Sequence, residues 1–472
     1  MNRQNFFGHL ALALTLILLA GFAGQVRRWQ HEQRATRRVV FEQVQRQEIY
    51  SGEEAGERLE SSKAEVHVRF RPGVSLEKIR QLTASHNDRF EDEYENIPGL
   101  TTIEDEDGLD AEQVASEYES LKDVVEYAEP VVTVSIEHDE PGGAKHKHAN
   151  DVRFGEQWSL QNAGQNDGKA GADISVLRAW FKTTGSSKVV VAVLDSGVDY
   201  THFDLMHNIW VRPADMAPYT DDELGEFNDL HGFNATDRWT DPMDDNGHGT
   251  HCAGIIGAEG NNGVGIAGIN WNVEIMPLKF LSSTGSGSTK DAIEAINYVI
   301  DRKHKGVNVR IISASWGSPQ RSRALRDAIK KAGDEDILFV AAAGNSSDDS
   351  DKRPHFPAGY SDLPNVISVA ATDRNDQLAS FSNYGAKSVQ IAAPGKEILS
   401  TWLNGEFYVA SGTSMATPEV AGVAALVLSI NPKMSVKELR DRLFNTVDKL
   451  DSLKGKVSTG GRINAAKAVG AE

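Results

Sequence analysis

Val189-Val190-Val191-Ala192-Val193-Leu194-Asp195-Ser196-Gly197 is an apolar run that ends in a carboxylate and a glycine. Apolar positions that follow one another without polar alternation read as a strand buried on both faces, as in the centre of a parallel sheet. Asp195 closes that strand, and open α/β sheets collect their ligand-binding residues at such carboxyl ends. Asp199, past the following turn, reads as structural. Working outward, strand signals at 309–313, 337–341, 366–370 and 389–392 alternate with helical stretches at 289–303, 320–332 and 415–428. The alternation predicts an α/β fold of three layers, with helices on both faces of a mostly parallel central sheet. Gly461 to Val469 is expected to form a closing helix.

Two further segments carry chemistry. Gly412-Thr413-Ser414-Met415-Ala416-Thr417-Pro418 sets a serine between a glycine turn and a small-residue run that reads as a helix opening. Such a setting exposes a hydroxyl and aims backbone donors at it. A serine hydroxyl is a poor nucleophile until a base takes its proton, and an imidazole does so near neutral pH when a buried carboxylate fixes its tautomer. Asn246-Gly247-His248-Gly249-Thr250-His251-Cys252-Ala253-Gly254 offers that base in the first turn of a helix. His248 is the first candidate and His251, three residues on, its chief rival. The pair lacks the i,i+4 spacing and intervening glutamate of a zinc protease motif. Cys252 admits a thiol nucleophile, but it has no helix-opening turn like the one at Ser414 and reads as a small buried helix residue.

From about Trp158 to Ala468 the chain resembles the subtilisin-like serine proteases, the subtilases, with its three blocks in that family's Asp, His, Ser order. The resemblance implies that Asp195 orients the base, that His248 is the base and that Ser414 attacks the peptide carbonyl, leaving His251 as a helix-core histidine. Ile337-Leu338-Phe339-Val340-Ala341-Ala342-Ala343-Gly344-Asn345 reads as a buried strand delivering an amide to its end. By the resemblance Asn345 is the oxyanion-hole asparagine. Ile311 to Gly317 resembles the segment that pairs with an extended peptide, which makes Ser315, Trp316 and Gly317 substrate contacts. Trp316 replaces a smaller aliphatic residue, either as an aromatic wall or as ordinary packing. Ser346 and His355 fall near the first specificity pocket, and His355 stands where a small residue is common, so a partly occupied pocket is expected. Two departures remain: His202-Phe203-Asp204 lacks the usual proline after histidine, and Glu419 stands where histidine is common, with a solvated or salt-bridged side chain expected.

Gly260-Asn261-Asn262-Gly263-Val264-Gly265-Ile266 offers the oxygen ligands and tight turn that a calcium ion accepts. The resemblance implies a structural calcium held by Asp204 and Asn262 side chains and by the carbonyls of Gly260, Val264 and Ile266, with Asp373 at a second calcium-associated position. No organic cofactor is expected. Asp241, Asp244 and Asp245, and Asp348, Asp349 and Asp351, read as solvated acidic loops. The acidic insertion around Asp221, Asp222, Glu223, Glu226 and Asp229 is left open.

The chain opens with Asn2-Arg3 and an apolar run from Leu10 to Ala20, which reads as an export signal over residues 1–23. Secretion is expected, with retained anchoring or a transient membrane association through residues 6–23 as the alternative. Residues 24–60 read as a charged linker. Over 61–137, a strand at Glu65 to Phe70, helices near 76–82 and 111–118, and a closing run at Val124 to Pro130 suggest a small α/β domain. By the resemblance it is an inhibitory propeptide and folding template, the enzyme's own intramolecular partner. Residues 138–150 read as a processing linker, with self-cleavage between about 137 and 151, and 151–472 as the catalytic domain. A formal charge of -19 and a pI near 5.2 argue against a nucleic-acid surface. One cysteine excludes an intrachain disulfide, so durability must come from packing and calcium. The expected protein is a monomeric, self-processing serine endopeptidase acting on extended or unfolded polypeptides. A serine hydrolase acting mainly on esters, and a catalytically silent binding or chaperone module, are the alternatives.

Overall fold

The computed structural model describes residues 64–94, 96–136, 150–221, 225–236 and 241–471. The expected signal (1–23), the charged linker (24–60), most of the processing linker (138–150), and Asp222 and Glu223 lie outside the described residues.

The N-terminal part is a four-stranded antiparallel sheet of β1 (Glu65–Phe70), β2 (Asp88–Glu93), β3 (Leu100–Asp105) and β4 (Val125–Pro130), in the order β2-β3-β1-β4. Period-two alternation in β1 sends Val66, Val68 and Phe70 to one face, where helices α1 (Leu76–Ser85) and α2 (Ala111–Ser120) add Ile79, Val114 and Tyr118. Each helix starts where its sequence supplies a cap: Ser75 accepts from the Lys78 amide, and Asp110 with Gln113 forms a capping box. β2 and β3 were not anticipated. β2 reads Asp-Arg-Phe-Glu-Asp-Glu, whose charges hide the strand until β3 pairs with it.

This sheet shares a core with the larger part of the chain. Tyr94, Leu100 and Tyr127 pack in one cluster with Ile293, Ile296, Phe280 and Trp316. At about 1.5–3 kcal/mol per fully buried large apolar side chain, these contacts are substantial. The chain then continues into β5 (Thr133–Ile136).

The larger part is built on a nine-stranded sheet among the described residues. Its strands are β6 (Gly185–Asp195), β7 (Phe233–Asn234), β8 (Asn272–Lys279), β10 (Val309–Ala314), β12 (Leu338–Ala342), β13 (Val366–Thr372), β14 (Ile391–Pro394), β17 (Asp448–Lys449) and β18 (Gly461–Arg462). The order is β17-β18-β14-β13-β12-β10-β6-β8-β7, parallel throughout except for the edge strand β17. Every residue of β10, β12 and β13 is buried; β12 is an unbroken apolar run, while β10 carries Arg310 and Ser313 and β13 carries Ser368 and Thr372 in otherwise apolar sequence. Helices α3 (His248–Gly257) and α6 (Thr413–Ile430) share one core with one face of β6, while α4 (Thr289–His304) and α5 (Arg323–Asp334) share the other. The expected three-layer α/β architecture with a mostly parallel sheet is therefore the one observed. Two short strands, β9 (Ser286–Ser288) and β11 (Trp316–Gly317), stand apart from the main sheet and flank β5.

Three boundaries differ from expectation. β8 carries Glu274 and Pro277 and escaped the apolar pattern. α7 (Val436–Asn445), started by a Ser435/Glu438 capping box, was not foreseen. The expected closing helix over 461–469 is a strand, β18, followed by α8 (Ala465–Val469), because Gly461 and Arg462 complete the sheet edge. α6 is long and apolar enough to suit a bilayer, yet 89% of it is buried inside the fold, where it is the central core helix.

Candidate active site

The carboxyl end of β6 delivers Asp195 and the first turn of α3 delivers His248. Glycine makes their approach feasible. A Cβ on Gly249 would lie 2.0 Å from the Gly197 carbonyl oxygen, and Gly247 adopts φ +107° against the Trp402 ring. His248 donates from Nδ1 to Asp195 Oδ1 at 2.7 Å, and the same oxygen accepts the Ser196 amide at 2.7 Å. Both side chains are buried, so water does not compete for the bond. That contact fixes the tautomer in which Nε2 is the ring's basic nitrogen.

Asp244 holds this corner together. It accepts from the Gly247 amide at 3.0 Å, the Thr250 amide at 2.9 Å, the Thr250 hydroxyl at 2.6 Å and the Ser196 hydroxyl at 2.9 Å, which itself accepts from Gly249. Most of these partners belong to the loop and first turn that carry His248. Asp244 was expected in a solvated loop; it is instead buried, and burial pushes its carboxyl above the usual range while the surrounding donors pull it back. Its neighbours fit the expectation better, for Asp241 is exposed and Asp245 is exposed and paired with Lys279 at 2.6 Å. Lys279 also donates to the Ser196 and Leu281 carbonyls. The sequence signal for Asp244 was an aspartate just ahead of a helix start, where side-chain oxygens cap.

Ser414 sits in the first turn of α6. Its hydroxyl donates to the Ser315 carbonyl at 3.0 Å. Pro418, four residues on, has no N–H to give to the Ser414 carbonyl, and the Ser315 hydroxyl takes that place at 2.8 Å. Cys252 Sγ approaches the same carbonyl at 3.6 Å. Burial drives the Cys252 thiol well above its ordinary value, so it is an inert packing residue. His251 is buried in α3 with Nε2 against the Ile398 and Tyr408 carbonyls, away from the role of base.

Asn345 follows β12 and turns its amide in a defined sense. Oδ1 accepts from the Thr413 amide and the Thr413 hydroxyl, each at 2.9 Å, and Nδ2 is buried without a hydrogen-bond partner. A buried, unbonded donor is costly and is retained where an incoming group will use it.

Trp316 and Gly317 form β11, directly after Ser315. β5 lies antiparallel between β11 and β9, pairing Ile136 with Trp316, Ser135 with Gly317, and Val134 with Gly287. The Trp316 side chain is not a wall of the cleft: it is fully buried against Phe280, with Nε1 donating to the Leu194 carbonyl at 2.9 Å. Ser346 is exposed beside Asn345, and His355 is half-buried next to Gly317 and Gly344.

The candidate metal residues separate into two places. Asp204 is buried and accepts from Asn262 Nδ2 and the Ile266 amide, both at 2.8 Å, and the Asn262 side-chain oxygen accepts from the Val264 amide. Asp151, which the sequence did not single out, accepts the Asn261 and Asn262 amides in the same loop, whose expected carbonyl ligands are Gly260, Val264 and Ile266. Burial raises Asp204 to about 6, and Asp151 and Glu259 add to the rise. Asp373 belongs to another turn, where it accepts the Asn375 and Gln377 amides. Among the described residues, two other groups have metal-capable spacing: Asp195, His248 and Cys252, and Glu65, Glu91 and Glu104. The first is already a hydrogen-bonded dyad with nitrogen and sulfur donors that suit calcium poorly, and in the second Lys290 pairs with Glu65 and Glu91.

Glu419 corrects the expectation of a solvated or salt-bridged side chain. It is fully buried in α6, both carboxyl oxygens lack a hydrogen-bond partner of normal geometry, and burial with Asp173 nearby pushes its carboxyl up to about 8. In the acidic insertion, Asp229 is a buried counter-ion for Arg302 at 3.1 Å and Arg212 at 2.9 Å.

Comparison with known proteins agrees with this geometry. The chain is 39% identical over 291 residues to the thermophilic serine proteinase of Bacillus sp. (strain AK1), covering 62% of this chain and 64% of that one. It is 36% identical over 296 residues to thermitase of Thermoactinomyces vulgaris, covering 63% of this chain and 93% of thermitase. It is 36% identical over 316 residues to the cell wall-associated protease of Bacillus subtilis (strain 168), covering 66% of this chain but 32% of that protein. The chain thus spans less than two thirds of the first and third of these relatives. The sequence profile of the subtilase family matches residues 186–462, more than half of the chain and the whole of the site, and the protein belongs to the subtilase family.

Proposed function

We propose that this protein is a serine endopeptidase that hydrolyses extended polypeptides through an acyl-enzyme on Ser414. The observation that carries the proposal is the buried Asp195–His248 hydrogen bond, with Ser414 opening a helix beside it. In this scheme His248 Nε2 takes the Ser414 proton as Oγ attacks the peptide carbonyl, and Asp195 stabilises the resulting imidazolium. The oxyanion meets Asn345 Nδ2 and the backbone N–H at the start of α6. His248 then returns the proton to the leaving amine, and water repeats the sequence to release the acyl group. Backbone pairing along β11 and β9 favours peptides over simple esters, because an ester offers no strand to pair.

The same proposal assigns residues 61–137 as an inhibitory propeptide. Its support is β5, which occupies the two strand edges an extended substrate would need, and Glu129, which accepts from the Ser322 hydroxyl and the Arg323 and Ala324 amides, all at 2.6 Å, and so caps α5. Self-cleavage between about 137 and 151 would convert the cleft from occupied to open. Secretion directed by residues 1–23, and a monomeric mature enzyme, complete the assignment.

The Asp204 loop is the proposed structural calcium site. Two carboxylates, an amide oxygen and backbone carbonyls form a hard oxygen donor set, and a bound dication offsets the crowding of Asp151 and Asp204. Calcium here would stabilise the fold without touching the reaction.

Mass spectrometry of wild-type and Ser414→Ala protein after incubation with calcium, alongside casein hydrolysis, tests the enzyme. Cleavage between about 137 and 151 with casein turnover in the wild type alone is expected. Equal activity of the two proteins would exclude Ser414, an intact and inactive wild type would favour a binding module, and faster turnover of simple esters than peptides would favour the esterase. Calorimetry of the Ser414→Ala protein with added calcium tests the metal, and absence of both binding heat and a thermal shift would remove it.

A further inference from the structure

His251, three residues past the base on α3, is fully buried and has no role in the proton transfer, yet its ring is committed. Carbonyl oxygens only accept, so Nε2, which lies 3.1 Å from both the Ile398 and Tyr408 carbonyls, carries the proton and shares it between them. Those carbonyls belong to the two strands of one antiparallel hairpin, β15 (Ile398–Thr401) and β16 (Phe407–Ala410), in which Ile398 faces Ala410 and Ser400 faces Tyr408. One imidazole thus spans the hairpin and fastens it to the helix that carries His248.

The hairpin returns the contact. The Ser400 hydroxyl donates to the His251 carbonyl and the Thr401 hydroxyl to the Thr250 carbonyl, both at 2.7 Å. The helix admits them because residue 254 is glycine: a Cβ there would lie 2.2 Å from Thr401 Oγ1 and 2.4 Å from Ser400 Oγ. Trp402 meets the His251 ring edge-on and covers the start of α3, where a Cβ on Gly247 would lie 2.5 Å from the indole. At the hairpin's turn the Asn404 amide donates at 2.9 Å to Asp199 Oδ2, on the loop that leaves Asp195, and the Asp199 amide donates at 2.8 Å to the Thr250 hydroxyl. At its base the Gly412 amide donates to the Gly395 carbonyl at 2.8 Å and the Glu397 amide to the Ser411 hydroxyl at 2.9 Å. β16 then runs through this fixed base into Ser414 at the start of α6.

We propose that this hairpin is the clasp that sets the distance between base and nucleophile, and that His251 is its positioning residue. This rests on the endopeptidase reading, in which His248 takes the Ser414 proton, and adds the element that keeps the two groups within reach. Asp195 and His248 hold each other by a direct hydrogen bond. Ser414 arrives on another helix, and the stretch of chain that enters that helix is the one bonded to α3. A proton passes only within hydrogen-bond reach, so a small shift of the Ser414 turn slows the reaction and leaves the Asp195–His248 bond intact.

Steady-state peptide hydrolysis by the full chain after incubation with calcium tests this, with rates taken per Ser414 labelled to completion by a fluorophosphonate, so that unfolded chains do not count. His251→Phe keeps a ring and loses the donor; it should lower kcat by about 10–100-fold and change KM by less than about twofold. His251→Gln, whose amide N–H can reach the same carbonyls, should recover most of that loss. Ser400→Ala, which leaves the sequence of α3 untouched, should lower kcat in the same sense, and decides the matter if His251→Phe does not fold. The downfield proton resonance of the Asp195–His248 bond should keep its position in every variant. A kcat per labelled site within about twofold of wild type in both His251→Phe and Ser400→Ala overturns the clasp, as does loss of that resonance, which would move the effect to the Asp195–His248 corner. Wild type that is neither labelled nor active overturns the endopeptidase reading and this proposal with it.

Discussion

Glu419 gives a prediction whose size comes from its surroundings. Its carboxyl is fully buried in α6, faces Ser159 and Asp173, and titrates at about 8 instead of the ordinary 4.5. Asp173 is itself raised by burial, though it accepts the Asn162 and Ser175 amides. Because the folded value lies above the unfolded one, the neutral acid is the form the fold accepts. Its contribution is fully present below about pH 4.5 and is lost as pH rises through about 8, at about 1.4 kcal/mol per pH unit over that window. By about pH 7 the loss is roughly 3 kcal/mol, a sizeable share of a typical folding free energy. Glu419→Gln has nearly the same shape and no charge to lose. In a Ser414→Ala background that prevents self-digestion, it should match the parent near pH 4.5 and exceed it by roughly 3 kcal/mol near pH 7, or about 3–5 °C in thermal midpoint. Urea and thermal unfolding across that pH range are the assay. A difference between variant and parent that stays flat with pH would refute the reasoning, as would a variant less stable than the parent near pH 7.

Three further outcomes are expected. Asn345→Ala removes the buried Nδ2 donor and should lower kcat by roughly 10²–10³-fold with KM little changed, and a loss under about threefold would place the oxyanion elsewhere. Asp244→Ala orphans buried donors on the His248 turn and should cost roughly 3–5 kcal/mol of stability, together with a fall in kcat; unfolding and steady-state kinetics would show both. Glu129→Ala in the Ser414→Ala chain removes the cap on α5 at a cost of about 1–2 kcal/mol, so amide hydrogen exchange should quicken in Val125–Pro130 and Arg323–Asp334, and unchanged exchange would detach that contact from the hold of the N-terminal sheet.

The architecture was legible wherever burial left a one-dimensional trace. β12 and the Val189–Leu194 part of β6 are apolar runs, and β10 and β13 are mostly apolar, because both of their faces are covered, and α5 has a polar face because one side meets water. β2, whose charges outnumber its apolar residues, left no such trace. The same logic separates the acidic residues. Asp241 and Asp244 look alike in a chain of letters, but only Asp244 is enclosed by the Ser196, Gly247 and Thr250 donors.

Asp195, His248 and Ser414 stood out as candidates in the sequence because each is placed at the end of a strand or the start of a helix, where local pattern dictates backbone direction, while Asn345 was singled out through the family resemblance. Their partnership is another matter, since 53 residues separate Asp195 from His248 along the chain and 99 separate Ser315 from Ser414. Only the assembled sheet, with the helices packed on it, brings those segments together. Trp316 and Glu419 make the same point from the other side. A tryptophan on a substrate strand turned out to be core, and a glutamate on a helix turned out to have no water, because the local code fixes a side chain's position along its element while the packing of other elements decides what surrounds it. His355 shows both kinds of information: the resemblance singled it out, but its place between Gly317 and Gly344 exists only after separate segments have converged.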